Sequence, residues 1–336
     1  MRTAGAKPAS ARPSDLVVDG LSVSYRTPAG PRPVVIDVSF SVGAGEALGI
    51  VGESGSGKST AVTAAIGLLD SEMAHVTATR STFGGTDLLS GGPDMLGTRI
   101  GVVFQNPLVA LNPVLTVGRQ ITDHMRYHLR LDASAARKRA ASLLKEVGIA
   151  DAERRLDSYP HEFSGGMLQR ATIAMALACD PDLLVADEPT TALDATVQAE
   201  VVDLVLSLRT SRNLGLIWIT HDLGLLQRVA DRVAVMYAGR IVETGPAGIV
   251  LNKPSHPYSQ GLLAAVNSLW HGDSERFDTI PGTPPRDLSV IRGCAFLPRC
   301  PRAGERCAAE RPELIDTGRA AGHRGACWHM TREAST

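Results

Sequence analysis

Three short, continuous apolar runs stand out along the chain: Glu46–Val51, Leu183–Ala186 and Leu214–Ile219. Such runs, bounded by Gly, Pro or Asp, read as strands buried on both faces of a largely parallel sheet. Helical spacing follows the first run, with apolar residues at Ala61, Val62, Ala64, Ala65, Ile66, Leu68 and Leu69. A second apolar helix is predicted over Ala171–Ala178. Ala135–Val147 has the pattern of an amphipathic helix, whose basic face is read as solvated. Val233–Thr244 reads as two strands about a turn at Ala238-Gly239. There is no internal repeat. Strands alternating with helices place the chain in the α/β class.

Composition narrows the function classes. The chain has 336 residues, 44% hydrophobic and 21% charged, as for a globular protein with a sizeable core. A net charge of −1 gives no general attraction to nucleic acid or anionic lipid. No run of about eighteen apolar residues would carry the chain across a membrane. The lead, residues 1–15, is rich in Ala, Pro and Ser and lacks an apolar signal core. It is expected to be disordered, and the compartment to be cytosolic and reducing.

The first strand runs directly into Gly52-Glu53-Ser54-Gly55-Ser56-Gly57-Lys58-Ser59-Thr60, and a helix follows. Strand, G-x-x-x-x-G-K-S, helix is the full context of a phosphate-binding loop. Gly52, Gly55 and Gly57 let the backbone bend so that successive N–H groups face one anion, including those of Ser54 and Ser56. The helix N-terminus adds partial positive charge. Lys58 is placed to reach β- and γ-phosphates, and Ser59 to bind Mg²⁺. The second run delivers Asp187 and Glu188 to the C-terminal edge of the sheet, where open α/β sheets place ligands. Asp187 is the candidate metal carboxylate, and Glu188 the candidate base for an attacking water. The third run ends at His221, a candidate γ-phosphate contact.

His161-Glu-Phe-Ser164-Gly165-Gly166-Met167 precedes the second apolar helix, with Ser164 as N-cap and a second anion nest at Ser-Gly-Gly. One nucleotide needs one phosphate loop, so the second nest points to a phosphate held by another subunit. With these motifs in this order, the sequence resembles the ATP-binding cassette (ABC) ATPases over nearly its whole length. In that family two subunits pack head to tail, and each ATP lies between one phosphate loop and the other subunit's Ser-Gly-Gly. The resemblance implies that Tyr25 stacks on adenine. It implies that Gln105, in Val102-Val-Phe-Gln-Asn-Pro107, touches Mg²⁺ and senses a transmembrane partner. Thr191-Ala-Leu-Asp194 is similar to the loop that crosses between subunits.

Two signature positions depart from the common pattern: Phe163 stands for Leu, and Met167 for Gln. The methionine form, the segment Pro107–Gln120, Ser255–Leu263 and Ile280–Pro285 resemble the oligopeptide, dipeptide and nickel importer branch. Four of the five cysteines, Cys294, Cys300, Cys307 and Cys327, gather in the tail with that branch's spacing. Four thiolates suit a [4Fe–4S] cluster or Zn²⁺. The lack of close C-x2-C pairs leans toward iron–sulfur, with zinc or free reduced thiols as rivals. Cys179, in an apolar run, reads as core.

The resemblance sets the expected organisation. Residues 16–250 form the nucleotide-binding domain, with antiparallel edge strands and the first half of the core over 16–105. A helical subdomain follows over about 106–175. Residues 251–336 form a small cysteine-rich accessory region. The implied activity is ATP hydrolysis driving import of oligopeptides or dipeptides at the cytoplasmic face of the cell membrane. A nickel or other small-solute importer of the same branch is the alternative. The implied partners are two transmembrane permeases, an extracytoplasmic substrate-binding protein and a second ATPase, a related but different chain. A soluble cassette acting on DNA or ribosomes would carry a long coiled coil or two cassettes, and this chain has neither pattern.

Overall fold

A computed structural model describes residues 15–90, 95–191, 193–270 and 279–330. The expected disordered lead falls, apart from Asp15, outside the described residues. In chain order the strands are β1 (Leu16–Thr27), β2 (Gly30–Val42), β3 (Ala47–Val51), β4 (Ala74–Thr77), β5 (Arg80–Phe83), β6 (Thr86–Asp87) and β7 (Ile100–Val103). They continue as β8 (Leu183–Asp187), β9 (Gly215–Thr220), β10 (Arg232–Tyr237), β11 (Arg240–Pro246), β12 (Ile315–Asp316) and β13 (Arg324–Gly325).

Two sheets result. The smaller is antiparallel in the order β2-β1-β5-β6, with β4 also paired to β1. The larger runs β12-β13-β11-β10-β3-β9-β8-β7 and is parallel from β10 to β7. Its central strands feed two cores at once, because successive side chains point to opposite faces. Leu216 and Trp218 of β9 join a core shared with the long helices, while Ile217 and Ile219 join one shared with the antiparallel sheet. This double burial is why these runs lack polar alternation.

Helices over Pro107–Ala110, Val117–Leu129, Ala133–Glu146, Ala152–Arg155 and Gly165–Ala176 fill the span expected to be helical. Their starts are written locally. Asn106, Thr116, Asp132 and Ser164 each accept a hydrogen bond from a backbone N–H of the helix they cap. The helix after the phosphate loop is shorter than its apolar spacing suggests. It covers Lys58–Ala65, and Leu68 beyond it is 39% exposed. Cys179, just past the Gly165–Ala176 helix, is buried as expected of a core residue, and burial pushes its thiol up to about 11.

The tail is more than an appended cap. Its strands β12 and β13 continue the main sheet, with Gly325 opposite Glu243 of β11. Glu243, wholly buried, accepts hydrogen bonds from Ser255 N at 2.6 Å and His256 N at 3.0 Å. It also pairs with the buried His323 ring at 2.8 Å. Burial pushes the Glu243 carboxyl up, but these hydrogen bonds outweigh it and hold the group below its usual range.

Candidate nucleotide site

Parallel register brings the predicted residues to one edge of the sheet. Val51 pairs with Thr220 and Asp187 with Ile219, so the chain after β3, the end of β8 and the start of the segment after β9 are neighbours. Adjacent β7 delivers Gln105. The phosphate loop is bent by left-handed glycines, Gly55 at φ +77° and Gly57 at φ +96°. A Cβ at Gly52 would collide with the Met236 carbonyl, so close backbone approach requires glycine there. Ser54 and Gly55 are exposed at the mouth of the loop, and Ser56 is buried.

Lys58, 5% exposed, donates from Nζ to the carbonyls of Gly52 at 2.8 Å and Glu53 at 3.0 Å. Burial pulls its pKa below the ordinary lysine value, opposed by the carboxylates of Glu188, Asp187 and Glu53. Ser59 Oγ donates to Asp187 Oδ1 at 2.8 Å. Burial raises the Asp187 carboxyl, the Ser59 hydrogen bond opposes that, and nearby Glu188 adds to it. Glu188, the residue after β8, has a left-handed φ of +44°, costly for a residue with a Cβ, and its N–H donates to Ile219 O at 2.9 Å. Its Oε2 is reached by Thr191 Oγ1 at 2.9 Å, Gln105 Nε2 at 3.1 Å and His221 Nδ1 at 3.3 Å.

These groups fit a metal-bound polyphosphate. The loop offers glycine-lined backbone, a buried cation and a buried Ser56 hydroxyl with no hydrogen-bond partner among the described residues. Next to it stand a hydroxyl and a carboxylate already paired. Tyr25 is near, its hydroxyl 3.5 Å from Thr60 Oγ1, but its ring packs partly buried against the core between the sheets. Ser164, Gly165 and Gly166 stand elsewhere, at the start of their own helix. Ser164 Oγ accepts from Met167 N at 3.3 Å, and among the described residues no hydrogen bond joins them to the phosphate loop.

Sequence reasoning named Thr191 only within a crossing loop and missed its bond to Glu188. It also missed the partners of Glu53, whose carboxylate is paired with Arg299 and whose N–H donates to Tyr258 Oη at 2.9 Å. The available signal was an acidic residue inside an anion-binding loop, which calls for a counter-charge.

The four tail cysteines line one narrow cavity of about 10 Å³, room for about one water. His256, Phe296 and Trp328 share its walls. None of the four is joined in a disulfide among the described residues. Burial raises the pKa values of Cys294 and Cys300, and that of Cys327 to about 11. The donor set suits a thiolate-bound centre. The side-chain spacing is not that of a formed one: among the described residues no group of three or more His, Cys, Asp or Glu is placed to hold a metal ion.

Comparison with known proteins matches this geometry. Residues 35–191 fit the ABC transporter model, and residues 242–307 fit the oligopeptide/dipeptide transporter C-terminal region. The dipeptide transport ATP-binding protein DppD of Escherichia coli (strain K12) is 46% identical over 303 residues, spanning 89% of this chain and 92% of that protein. The chain belongs to the ATP-binding cassette family. A putative peptide import ATP-binding protein of Brucella abortus (strain 2308) is also 46% identical, over 90% of this cassette and 92% of that protein. Among solved structures, the dimeric post-hydrolysis state of the ATP-binding cassette MJ0796 bound to ADP and Pi superposes with a TM-score of 0.60. It is 25% identical and covers 69% of this chain and 98% of its own. The cbiO1 subunit from Clostridium perfringens gives a TM-score of 0.59 at 26% identity, over 71% of this chain and 90% of its own. The family and the P-loop α/β fold expected from the motifs are therefore those found.

Proposed function

We propose that this cassette hydrolyses ATP to drive import of oligopeptides or dipeptides. The observation that carries the reading is near-full-length identity to a dipeptide transport ATP-binding protein, tail included. In the proposed site Lys58 and the N–H groups of Gly52, Ser54, Gly55, Ser56, Gly57, Ser59 and Thr60 bind the phosphates, and Tyr25 contacts the adenine side. Ser59, Asp187 and Gln105 would hold Mg²⁺, which would supply charge neutralisation to the phosphates. Glu188 takes a proton from a water that attacks the γ-phosphorus as the bond to the β–γ bridging oxygen breaks. His221 contacts the γ-phosphate. Ser164, Gly165 and Gly166 serve the ATP of a second cassette, a related but different chain.

The chain's docking to membrane subunits is supported by its surface beside Gln105. Leu108 and Val109, on the short helix Pro107–Ala110, and Val114, in the turn beyond it, are 61%, 81% and 76% exposed and form an apolar group. No described helix is long and apolar enough to cross a membrane, and the identity to peptide-importer ATPases supports a peripheral place at the cytoplasmic face of the cell membrane. Two permeases and an extracytoplasmic binding protein complete the proposed assembly. Cys294, Cys300, Cys307 and Cys327 are the proposed ligands of a [4Fe–4S] cluster, or of Zn²⁺. The gathering of four thiol donors at one place supports this, and iron, sulfide and zinc analysis of anaerobically purified protein tests it. Affinity purification of the tagged chain from gently solubilised native membranes tests the importer. Two multi-span permeases, a second cassette and a binding protein are expected, whereas recovery with DNA or ribosomes alone overturns transport.

A further inference from the structure

The phosphate loop carries a carboxylate of its own, Glu53, next to the site that must accept a polyanion. Two residues outside the loop, Arg299 and Tyr258, and one within it, Lys58, restrain that one residue. Arg299 grips the Glu53 carboxylate with both arms, Nη1 to Oε2 at 2.8 Å and Nη2 to Oε1 at 2.9 Å. Tyr258 Oη accepts from the Glu53 N–H at 2.9 Å, and Lys58 Nζ holds the Glu53 carbonyl at 3.0 Å. The residue is therefore held at its N–H, its carbonyl and its side chain at once.

Arg299 is itself fixed. It is 6% exposed, donates from Nε to Pro281 O at 2.8 Å and has its guanidinium carbon 5.7 Å from the Tyr237 ring centroid. Tyr237, Tyr258 and Phe296 form one ring cluster beneath it, with centroids 4.5 to 5.5 Å apart. Both Arg299 and Tyr258 come from the tail, beyond the strands of the nucleotide core. A two-armed guanidinium–carboxylate pair with little solvent around it is geometrically specific, and losing one partner exposes the field of the other.

We propose that Arg299 is a positioning residue of the ATP site. It neutralises Glu53 beside the phosphates and, with Tyr258, fixes the bend of the loop, so the tail completes the nucleotide site. The inference rests on the assignment of ATP as the ligand. Without Arg299 the Glu53 charge faces the triphosphate uncompensated. With both charges removed, the repulsion disappears as well.

The test is MgATP titration calorimetry on the purified full chain, with melting of the nucleotide-free protein followed in parallel. Arg299→Gln is expected to weaken MgATP binding by about 10- to 100-fold, the range of a hydrogen-bonded charge. Adding Glu53→Gln to that variant is expected to restore affinity to within a few-fold of the parent. Parental affinity in Arg299→Gln, or a loss that the double variant fails to repair, overturns the proposal. A lowered melting temperature with unchanged affinity does so too, since that is a merely structural role. If Arg299→Gln does not fold, Glu53→Gln alone decides. It is expected to bind MgATP at least as tightly as the parent, and weaker binding overturns the proposal. A parent that binds no MgATP would sink the ATP assignment itself.

Discussion

The Gln105 amide donates to Glu188 Oε2 across 3.1 Å, tying the loop after β7 to the end of β8. The same oxygen receives Thr191 and His221, so one carboxylate collects contacts from three segments. A base held this way is set in place before substrate arrives. Glu188→Gln keeps the size and much of the hydrogen bonding but cannot take a proton. It should bind MgATP with near-parental affinity and lose about two to three orders of magnitude in turnover. Steady-state phosphate release beside equilibrium ATP binding measures both, and normal hydrolysis would remove Glu188 from its role.

Lys58 should show the opposite balance. Its ammonium is buried and now satisfied by the carbonyls of Gly52 and Glu53, which it must exchange for phosphate oxygens. Lys58→Ala removes a charge-assisted contact to the phosphates. MgATP affinity should fall by about 10- to 100-fold or more. A fluorescent ATP analogue titrated against both proteins reads this directly, and equal affinities would count against the phosphate-loop assignment.

The parts of the site that were legible in the sequence are those fixed by local chemistry. A buried strand ending in a glycine loop and a helix specifies its own anion nest. Asp187, Glu188 and His221 were placeable because parallel strands deliver their C-terminal residues to one edge. What stayed hidden was pairing between distant segments. Nothing near Arg299 announces Glu53, 246 residues away, and nothing near His323 announces Glu243. Such pairs are set by how the tail packs, and short-range periodicity carries no record of that. The tail's two short strands were missed for the same reason, since two residues each give no alternation to read.

The apolar group beside Gln105 gives a prediction separate from chemistry. Val109 is 81% exposed and makes no part of either core. A charge there costs the free chain little, because exposed substitutions usually change stability by less than about 0.5 kcal/mol. In a docked complex the same charge would be buried without a partner. Val109→Asp should leave MgATP binding by the isolated chain within about two-fold of the parent. It should also lower recovery of the permeases in the membrane purification by about ten-fold or more. Undiminished recovery would place the docking surface elsewhere.

Acid sensitivity of the fold should trace to His256. The ring is 2% exposed, its Nδ1 accepts from Tyr258 N at 3.0 Å, and burial lowers its pKa from 6.5 to about 4. A folded pKa below the unfolded one means the unfolded chain binds the proton first as pH falls. The stabilisation is therefore complete above about pH 6.5 and drains away as pH falls toward about 4. A shift of this size corresponds to about 3 kcal/mol across the window. Neighbouring Glu243 titrates below its usual range and stays ionised through most of it. Urea midpoints taken at half-unit steps from pH 7 to 4 should fall steeply for the parent. For His256→Gln, which has no proton to gain, they should start lower and fall less. Parallel slopes for the two proteins would assign the acid sensitivity to other groups.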